Sequence, residues 1–175
     1  MIPVNNLKCT IIGDGAVGKT CLIMSYTTNK FPKVYIPTVI EKTTFNITFD
    51  DKIYNFELFD TAGQEDFDKL RLLAYPKTDV FLVCFNVVKR ASFLNVEHKW
   101  VPEISQYYPN TPFLIIGTQI DLKENTKILN ESETISTQQG EKLAKELKAV
   151  KYMECSTLTQ VFFASFLFLN LLFNF

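Results

Sequence analysis

The stretch GDGAVGKT, from Gly13 to Thr20, has the residue types and the spacing of a phosphate-binding loop. It fits the pattern G-x-x-x-x-G-K-[ST], in which glycines let backbone N–H groups turn towards phosphate oxygens. Lys19 is expected to hold the β- and γ-phosphates of a nucleotide, and the hydroxyl of Thr20 is expected to bind Mg²⁺. Gly15 keeps the loop free of a side chain beside the γ-phosphate. Taken alone, the motif is equally compatible with ATPases, kinases and GTPases.

A second group of residues suited to phosphate chemistry lies in DTAGQED, residues 60–66. Asp60 is expected to support Mg²⁺ through a water molecule. The backbone N–H of Gly63 is expected to reach the γ-phosphate. Gln64 is neutral and can both donate and accept, so it is suited to orienting a water for in-line attack.

The segment NKFPKVYIPTVIEK, residues 29–42, contains two prolines and little periodicity, which predicts a loop. Thr38 within it is expected to offer its hydroxyl to Mg²⁺ and its backbone N–H to the γ-phosphate. Phe31 is expected to stack on the edge of a nucleotide base. A loop of this length between regular elements is usually functional or mobile.

Residues suited to guanine recognition follow two further strand-like runs. In TQID, residues 118–121, Asp121 is expected to accept hydrogen bonds from N1 and N2 of guanine. Adenine lacks that pair of donors and would leave the acid unpaired, which predicts selection against it. Taken on this motif alone, Asp121 is also compatible with the N-cap of a helix. In CSTL, the backbone N–H groups of Ser156 and Thr157 are expected to reach the guanine carbonyl.

The elements that must position these residues alternate between strands and helices. Apolar or alternating runs predict strands, and a period near 3.6 predicts helices. This order predicts an α/β fold with a mainly parallel sheet of six strands and helices on both faces. Such a sheet places its ligand beyond the carboxyl ends of its strands, which is where the motifs lie. The predicted strands are 7–12, 43–49, 53–59, 80–85, 113–117 and 151–155, and the predicted helices are 19–28, 91–107 and 137–148.

The composition limits the classes of function. A length of 175 residues predicts a single domain, and the net charge of −1 gives no indication of nucleic-acid binding. His98 is the only histidine, which rules out a histidine-rich metal site. The four cysteines are widely spread, which predicts reduced thiols in a cytoplasmic protein.

In combination, these motifs resemble the Ras-like small GTPases, and closely their Rho/Rac branch. The resemblance covers about residues 5–160, and it is carried by the motifs above together with KWVPEI and GTQIDL. It implies the fold of a small GTPase, a P-loop NTPase domain that binds GDP or GTP with Mg²⁺ and hydrolyses GTP slowly as a switch. It also implies exchange factors, GTPase-activating proteins and effectors that contact 29–43 and 60–75, and a pathway directed at actin.

The resemblance also assigns residues by position. Gln64, Lys19 and Thr38 are the expected catalytic residues, and the expected metal ligands are Thr20, Thr38 and Asp60. The expected nucleotide-binding residues are Gly13, Asp14, Gly15, Ala16, Val17, Gly18, Lys19, Thr20, Cys21, Phe31, Tyr35, Thr38, Asp60, Gly63, Thr118, Gln119, Asp121, Leu122, Ser156 and Thr157.

Four features depart from the family pattern. After PTV, the effector loop of the family usually continues with phenylalanine, an acidic residue, a polar residue and an aromatic residue. Here these positions are Ile40, Glu41, Lys42 and Thr43, so both aromatic residues are missing. The polar stretch 123–134 is shorter than in typical relatives, and Thr157 stands where alanine is usual. The chain also lacks the basic tail and the prenylated cysteine box with which the family ends.

The last fifteen residues, VFFASFLFLNLLFNF, are apolar and uncharged. Residues 161–175 are expected to form an atypical hydrophobic C-terminal helix. Three interpretations stay open: a truncated chain or gene-model error, a final helix that covers the sheet imperfectly, and a membrane anchor. Three functions accordingly compete: a GTP-hydrolysing switch, a guanine-nucleotide-binding module that does not cycle, and an unrelated P-loop ATPase or nucleoside kinase.

Overall fold

A six-stranded sheet organises the chain. The computed structural model describes residues 5–32, 38–49, 52–124 and 134–161. The strand order is β2-β3-β1-β4-β5-β6, and all neighbouring strands are parallel except β2 and β3, which form an antiparallel pair. The mainly parallel α/β sheet expected from the sequence is therefore confirmed. The strands are β1 (Asn5–Gly13), β2 (Ile40–Phe49), β3 (Lys52–Thr61), β4 (Val80–Asn86), β5 (Phe113–Thr118) and β6 (Lys151–Glu154).

The central strand β4 is buried on both faces of the sheet. Val80, Leu82 and Cys84 join one hydrophobic cluster, whereas Phe81 and Phe85 join the other. This alternation is the period of two along a strand, and burial on both sides explains why the run has no polar residue before Asn86. The sheet thus divides the core into two layers.

Helices cover both faces. Helix α1 (Lys19–Thr28) contributes Leu22 and Ile23 to the first cluster. The second cluster is covered by a helix over 90–107 and by α6 (Thr137–Glu146). Short helical segments follow β3 and β5. They are α2 (Asp68–Arg71), flanked by 3-10 turns at Glu65–Phe67 and Leu72–Ala74, and α5 (Asp121–Glu124).

The helix over 90–107 is irregular in its middle. It consists of α3 (Arg90–Asn95), a π-helical turn (Val96–Trp100) and α4 (Val101–Tyr107). Pro102 lies in the first turn of α4 and has no N–H to donate to the turn before it, which favours an interruption of the regular α-helical pattern at this point. The buried face contains Val96, Trp100 and Ile104, as the sequence pattern predicts.

The largest difference between a predicted and an observed strand boundary occurs at the start of β2, which begins at Ile40 rather than at residue 43. Residues 40–42 were expected to belong to the loop, but they form the start of β2, where Ile40 pairs with Thr61 and Lys42 with Phe59. The prolines of the loop prevented a strand prediction here, whereas the antiparallel ladder to β3 supplies the missing hydrogen-bond partners. The predicted tail helix lies outside the described residues, except for Val161. Within the described residues, no helix has the length and the apolar character needed to span a bilayer.

Candidate functional site

An open cleft lies at the carboxyl ends of β1 and β3 and at the start of α1. This is the edge at which a sheet of this kind places its ligand. The residues lining the cleft are Gly15, Ala16, Gly18, Lys19, Thr20, Cys21, Met24, Pro32, Thr38, Thr61, Ala62, Gly63, Gln64 and Gln119. Nine of these fourteen residues belong to the predicted nucleotide-binding set, and Gln64 is a predicted catalytic residue.

The loop between β1 and α1 is tightly packed and needs glycine at its first position. Gly13 has a φ of +139°, and a Cβ built on it would lie 2.2 Å from the carbonyl oxygen of Cys84. Gly63 approaches the same loop, because a Cβ there would lie 2.2 Å from the Gly13 carbonyl oxygen. The two motifs that the sequence places about fifty residues apart are therefore in backbone contact.

Lys19 lies inside this loop. Its Nζ donates hydrogen bonds of 2.7 Å to the carbonyl oxygens of Gly13 and Asp14, and the residue is only 6% exposed. Burial lowers the pKa of the Lys19 ammonium, although the nearby carboxylates of Asp60 and Asp14 oppose the shift. A cation held this way is positioned to meet an anion that enters the cleft.

Thr20, Thr38 and Asp60 come together beside Lys19. The Thr20 hydroxyl donates to Asp60 Oδ2 at 2.6 Å and lies 3.0 Å from the Thr38 hydroxyl oxygen. Burial raises the pKa of Asp60, and the hydrogen bond from Thr20 and the charge of Lys19 oppose the rise. Asp60 Oδ1 is buried and has no hydrogen-bond partner among the described residues.

This oxygen-only cluster fits Mg²⁺. Mg²⁺ binds one or two protein oxygens, keeps several waters and completes its shell with phosphate oxygens. The two hydroxyls and the carboxylate supply such oxygens, and the orphaned Asp60 Oδ1 is a buried acceptor that a bound water can satisfy. No group of three or more His, Cys, Asp or Glu side chains suited to a metal occurs in the described part of the chain.

The residues expected to position a water lie at the mouth of the cleft. Gln64 is exposed, and its Cγ lies 3.7 Å from the point where a Cβ on Gly15 would stand. The backbone N–H of Ala62 donates to the Val39 carbonyl oxygen at 2.9 Å, so the segments that contain Thr38 and Gln64 are joined. The role of Gln64 stays a prediction.

The predicted base-binding residues meet at the ends of β5 and β6. The Thr118 hydroxyl donates to the carbonyl oxygen of Val17 at 2.5 Å, which ties this edge to the phosphate loop. The Ser156 hydroxyl donates to Asp121 Oδ1 at 2.5 Å and so orients the carboxylate. Each carboxylate oxygen has more than one acceptor position, so this bond leaves Asp121 able to accept from a base.

One of the two backbone N–H groups expected to reach the guanine carbonyl, that of Ser156, has a hydrogen-bond partner within the chain. The N–H of Ser156 donates to the Val161 carbonyl oxygen at 3.4 Å, and the two residues form an isolated antiparallel bridge. The Thr157 carbonyl oxygen accepts from the Ser25 hydroxyl at 3.2 Å. This backbone is therefore anchored on both sides, and the role of the Ser156 N–H stays a prediction.

Other predicted residues lie at the margins of this arrangement. Phe31 is 41% exposed, and Leu122 is half-buried next to Asp121. Tyr35 lies outside the described residues.

Several residues in contact with the predicted site were missed by the sequence reasoning. Asn86 donates to the side chain of Gln119 at 2.9 Å, and Asn95 and Trp100 both donate to Asp14. They lie 33 to 86 residues from their partners, so no local spacing could have indicated them.

The family model described as Ras family matches residues 8–171, which are 164 of the 175 residues of the chain. The match includes every predicted site residue discussed above.

Proposed function

The chain belongs to the Ras family, and on this premise we propose that it is a small GTPase of the Rho/Rac type that regulates the actin cytoskeleton. Members of the Ras family bind GTP and GDP with Mg²⁺ and hydrolyse GTP, so the chain is a GTP hydrolase and a nucleotide-binding switch. They generally interact with exchange factors, GTPase-activating proteins and effectors. The finer assignment to the Rho/Rac type is supported by the sequence GTQIDL and by the other stretches quoted above.

The juxtaposition of Lys19, Thr20, Thr38 and Asp60 is the observation that carries the proposed nucleotide site. Lys19 contacts the phosphates, and the other three residues hold Mg²⁺ directly or through water. When bound, Mg²⁺ neutralises the charge that develops on the phosphate oxygens. Gln64 lies at the open mouth of the same cleft, where it orients the attacking water, and Asp121 selects guanine.

We further propose that partners bind across 29–43 and 60–75. Four large apolar side chains in the described part of these segments are exposed: Phe31 at 41%, Val39 at 42%, Leu70 at 44% and Leu73 at 70%. Apolar side chains clustered on a surface favour protein contact. Lys42 in the same stretch forms an ion pair of 2.7 Å with Glu57. Ile40 and Thr43 stand where the family usually has aromatic residues, and this difference favours an effector whose facing surface differs from that of usual Rac-type effectors.

The proposed location is the cytoplasm, with peripheral membrane association as a further proposal. Cys9, Cys21, Cys84 and Cys155 are all free thiols. Free thiols are typical of proteins in a reducing compartment.

Nucleotide content and selectivity test the nucleotide-binding part of the proposal. We expect the purified chain to carry about one equivalent of guanine nucleotide. A fluorescent GDP analogue should bind to the emptied protein and should be displaced by GTP but not by ATP. Protein that binds GDP and GTP but does not hydrolyse GTP would instead support the guanine-nucleotide-binding module that does not cycle, and folded protein that binds neither nucleotide would overturn the proposal. Displacement by ATP would support the unrelated ATPase or kinase.

The Rho/Rac assignment needs its own test. The GDP-loaded chain is mixed with an exchange domain that acts on Rho-type GTPases and, separately, with one that acts on Ras-type GTPases. We expect only the first domain to accelerate GDP release. Acceleration by the second domain alone would overturn the assignment to the Rho/Rac type and would leave the GTPase activity untouched.

A further inference from the structure

Asp14 creates an electrostatic problem inside the phosphate-binding loop. It occupies the second position of GDGAVGKT, so a carboxylate stands in the segment that receives an anionic nucleotide. Two negative charges a few ångströms apart repel each other, and the repulsion grows where water is excluded. Unless the carboxylate is fixed and compensated, the loop opposes the ligand that it binds.

Two side chains of the helix over 90–107 hold this carboxylate. The side-chain amide of Asn95 donates to Asp14 Oδ2 at 2.8 Å, and the indole N–H of Trp100 donates to Asp14 Oδ1 at 2.8 Å. Each oxygen therefore accepts one hydrogen bond from the helix. Hydrogen bonds to an ionised acceptor are stronger than neutral ones, so the pair fixes the orientation of the carboxylate.

The π-helical turn makes this double contact possible. Asn95 and Trp100 are five residues apart, and in a regular α-helix such residues point in different directions. In a π-helical turn the hydrogen bonds run from residue i to i+5 and the turn is wider, so residues five apart lie closer to the same face than they do in an α-helix. The N–H of Val101 indeed donates to the carbonyl of Val96. The wide turn therefore serves the contact with Asp14, which agrees with the frequent occurrence of such turns at functional sites.

The position of Trp100 is restricted by burial and by two cationic side chains over its ring. Its side chain is fully buried, and the Arg71 guanidinium carbon lies 4.6 Å from its ring centroid. The ammonium of Lys99 lies 4.9 Å from the same centroid. Cations over an indole ring are attracted to it and restrict its position. The donor to Asp14 is therefore rigid, and rigidity lets it reduce the freedom of the loop.

We propose that Asn95 and Trp100 are positioning residues that hold the phosphate-binding loop through Asp14 and thereby slow nucleotide release. A loop that is ordered before binding loses less conformational freedom when the nucleotide binds. Freeing the carboxylate adds disorder to the loop and lets a negative charge approach the phosphates. Both effects weaken binding and speed release. The inference rests on the proposed role of Gly13–Thr20 in phosphate binding.

Release of a fluorescent GDP analogue from the full chain tests this inference. Asn95→Ala removes one of the two donors. We expect it to raise the release rate about tenfold, because losing the stabilisation of one hydrogen bond to a charged group changes an equilibrium or a rate by about that factor. Trp100→Phe keeps an aromatic ring, although a smaller one, and removes the second donor, and a similar rise is expected. His98→Asn is the matched control, because His98 is exposed in the same turn. Its release rate should equal that of the unchanged chain.

A double variant separates positioning from a general loss of stability. Asp14→Ala and Asn95→Ala remove the two ends of one contact, so together they should accelerate release no more than the stronger single change. At a fixed excess of GDP, the Tm of the Asn95→Ala variant should fall below that of the control by no more than its loss of GDP affinity accounts for. Two outcomes would overturn the inference. One is additive acceleration of release in the double variant. The other is release at the rate of the unchanged chain in both Asn95→Ala and Trp100→Phe. If the unchanged chain binds no GDP, the proposed function itself fails, and the inference falls with it.

Discussion

Removing Glu103 tests whether a buried ion pair holds the proposed partner-binding segment onto the domain. Arg71 lies in α2 and has a fully buried side chain. Its Nη2 and Nε donate to the two carboxylate oxygens of Glu103 at 2.7 Å and 3.1 Å. The Tyr75 hydroxyl also donates to Glu103. A single carboxylate therefore serves as the acceptor for three donors.

The expected cost follows from what Glu103→Ala leaves behind. Arg71 keeps Asp68 at 2.8 Å and the Ala62 carbonyl oxygen at 3.1 Å, but the Asp68 side chain is 45% exposed and compensates weakly. Breaking a buried pair from one side costs roughly 3–5 kcal/mol, because the remaining charge is left without its partner. Glu103 is itself 17% exposed, so we expect the lower end, about 3 kcal/mol. For a chain of this size, that loss corresponds to a fall in Tm of roughly 6–12 °C.

Thermal unfolding of the GDP-saturated protein, followed by circular dichroism, measures this loss. Glu97→Ala is the matched control, because Glu97 is an exposed carboxylate on the same helix and should cost less than about 0.5 kcal/mol. Replacing both partners, by Arg71→Met with Glu103→Leu, should recover part of the stability, since no buried charge is then left unpaired. The reasoning is refuted if Glu103→Ala lowers Tm no more than Glu97→Ala does.

Four further predictions concern the nucleotide site. Gln64→Leu should slow single-turnover GTP hydrolysis at least tenfold and leave GTP affinity nearly unchanged; an unchanged rate would remove Gln64 from catalysis. Asp121→Asn should shift the preference from guanine towards xanthine nucleotides in competition binding, and an unaltered base preference would count against its role. Thr20→Asn should weaken binding of Mg²⁺·GTP more than of GDP, whereas equal losses would argue against Thr20 as a metal ligand. Burial raises the pKa of Asp60, and Mg²⁺ needs the ionised carboxylate. Affinity for Mg²⁺ should therefore fall as the pH is lowered towards that raised pKa, at a higher pH than for an ordinary aspartate. A pH-independent affinity would contradict this.

The sheet could be predicted from the sequence because its strands carry a local signal. The runs in β4 and β5 are continuously apolar, and burial on both faces requires this of a central strand. The start of β2 could not be predicted in the same way. Ile40, Glu41 and Lys42 follow a proline-containing loop, and they become a strand because β3 offers an antiparallel partner. Such a partner is a tertiary effect that no window of sequence contains.

The loop residues of the site could be predicted for a different reason. Phosphate binding needs glycines, a lysine and a hydroxyl at fixed spacing, so the function of GDGAVGKT can be recognised within eight consecutive residues. The roles of Asn95, Trp100 and Arg71 cannot be recognised from their neighbours in the sequence. An asparagine and a tryptophan on a helix are ordinary residues until the fold sets them against Asp14. Their spacing of five even argues against a shared face, because the π turn that aligns them is not visible in an α-helical pattern.

The three aspartates of the site show why residue type alone does not assign a role. Asp14, Asp60 and Asp121 are all proposed to lie around a nucleotide that carries negative phosphates, and the difference between them lies in their partners. Asp14 accepts one N–H donor of the helix over 90–107 at each oxygen, which fixes its orientation. Asp60 accepts from Thr20 at one oxygen and keeps the other buried and unpaired, which suits the water shell of a cation. Asp121 is oriented by Ser156 at one oxygen, at the sheet edge where the base is proposed to bind. A carboxylate near an anionic ligand therefore favours binding only when its charge faces a cation or N–H donors. In this chain the fold gives each of the three aspartates different hydrogen-bond partners, and these partners determine how its carboxylate is oriented.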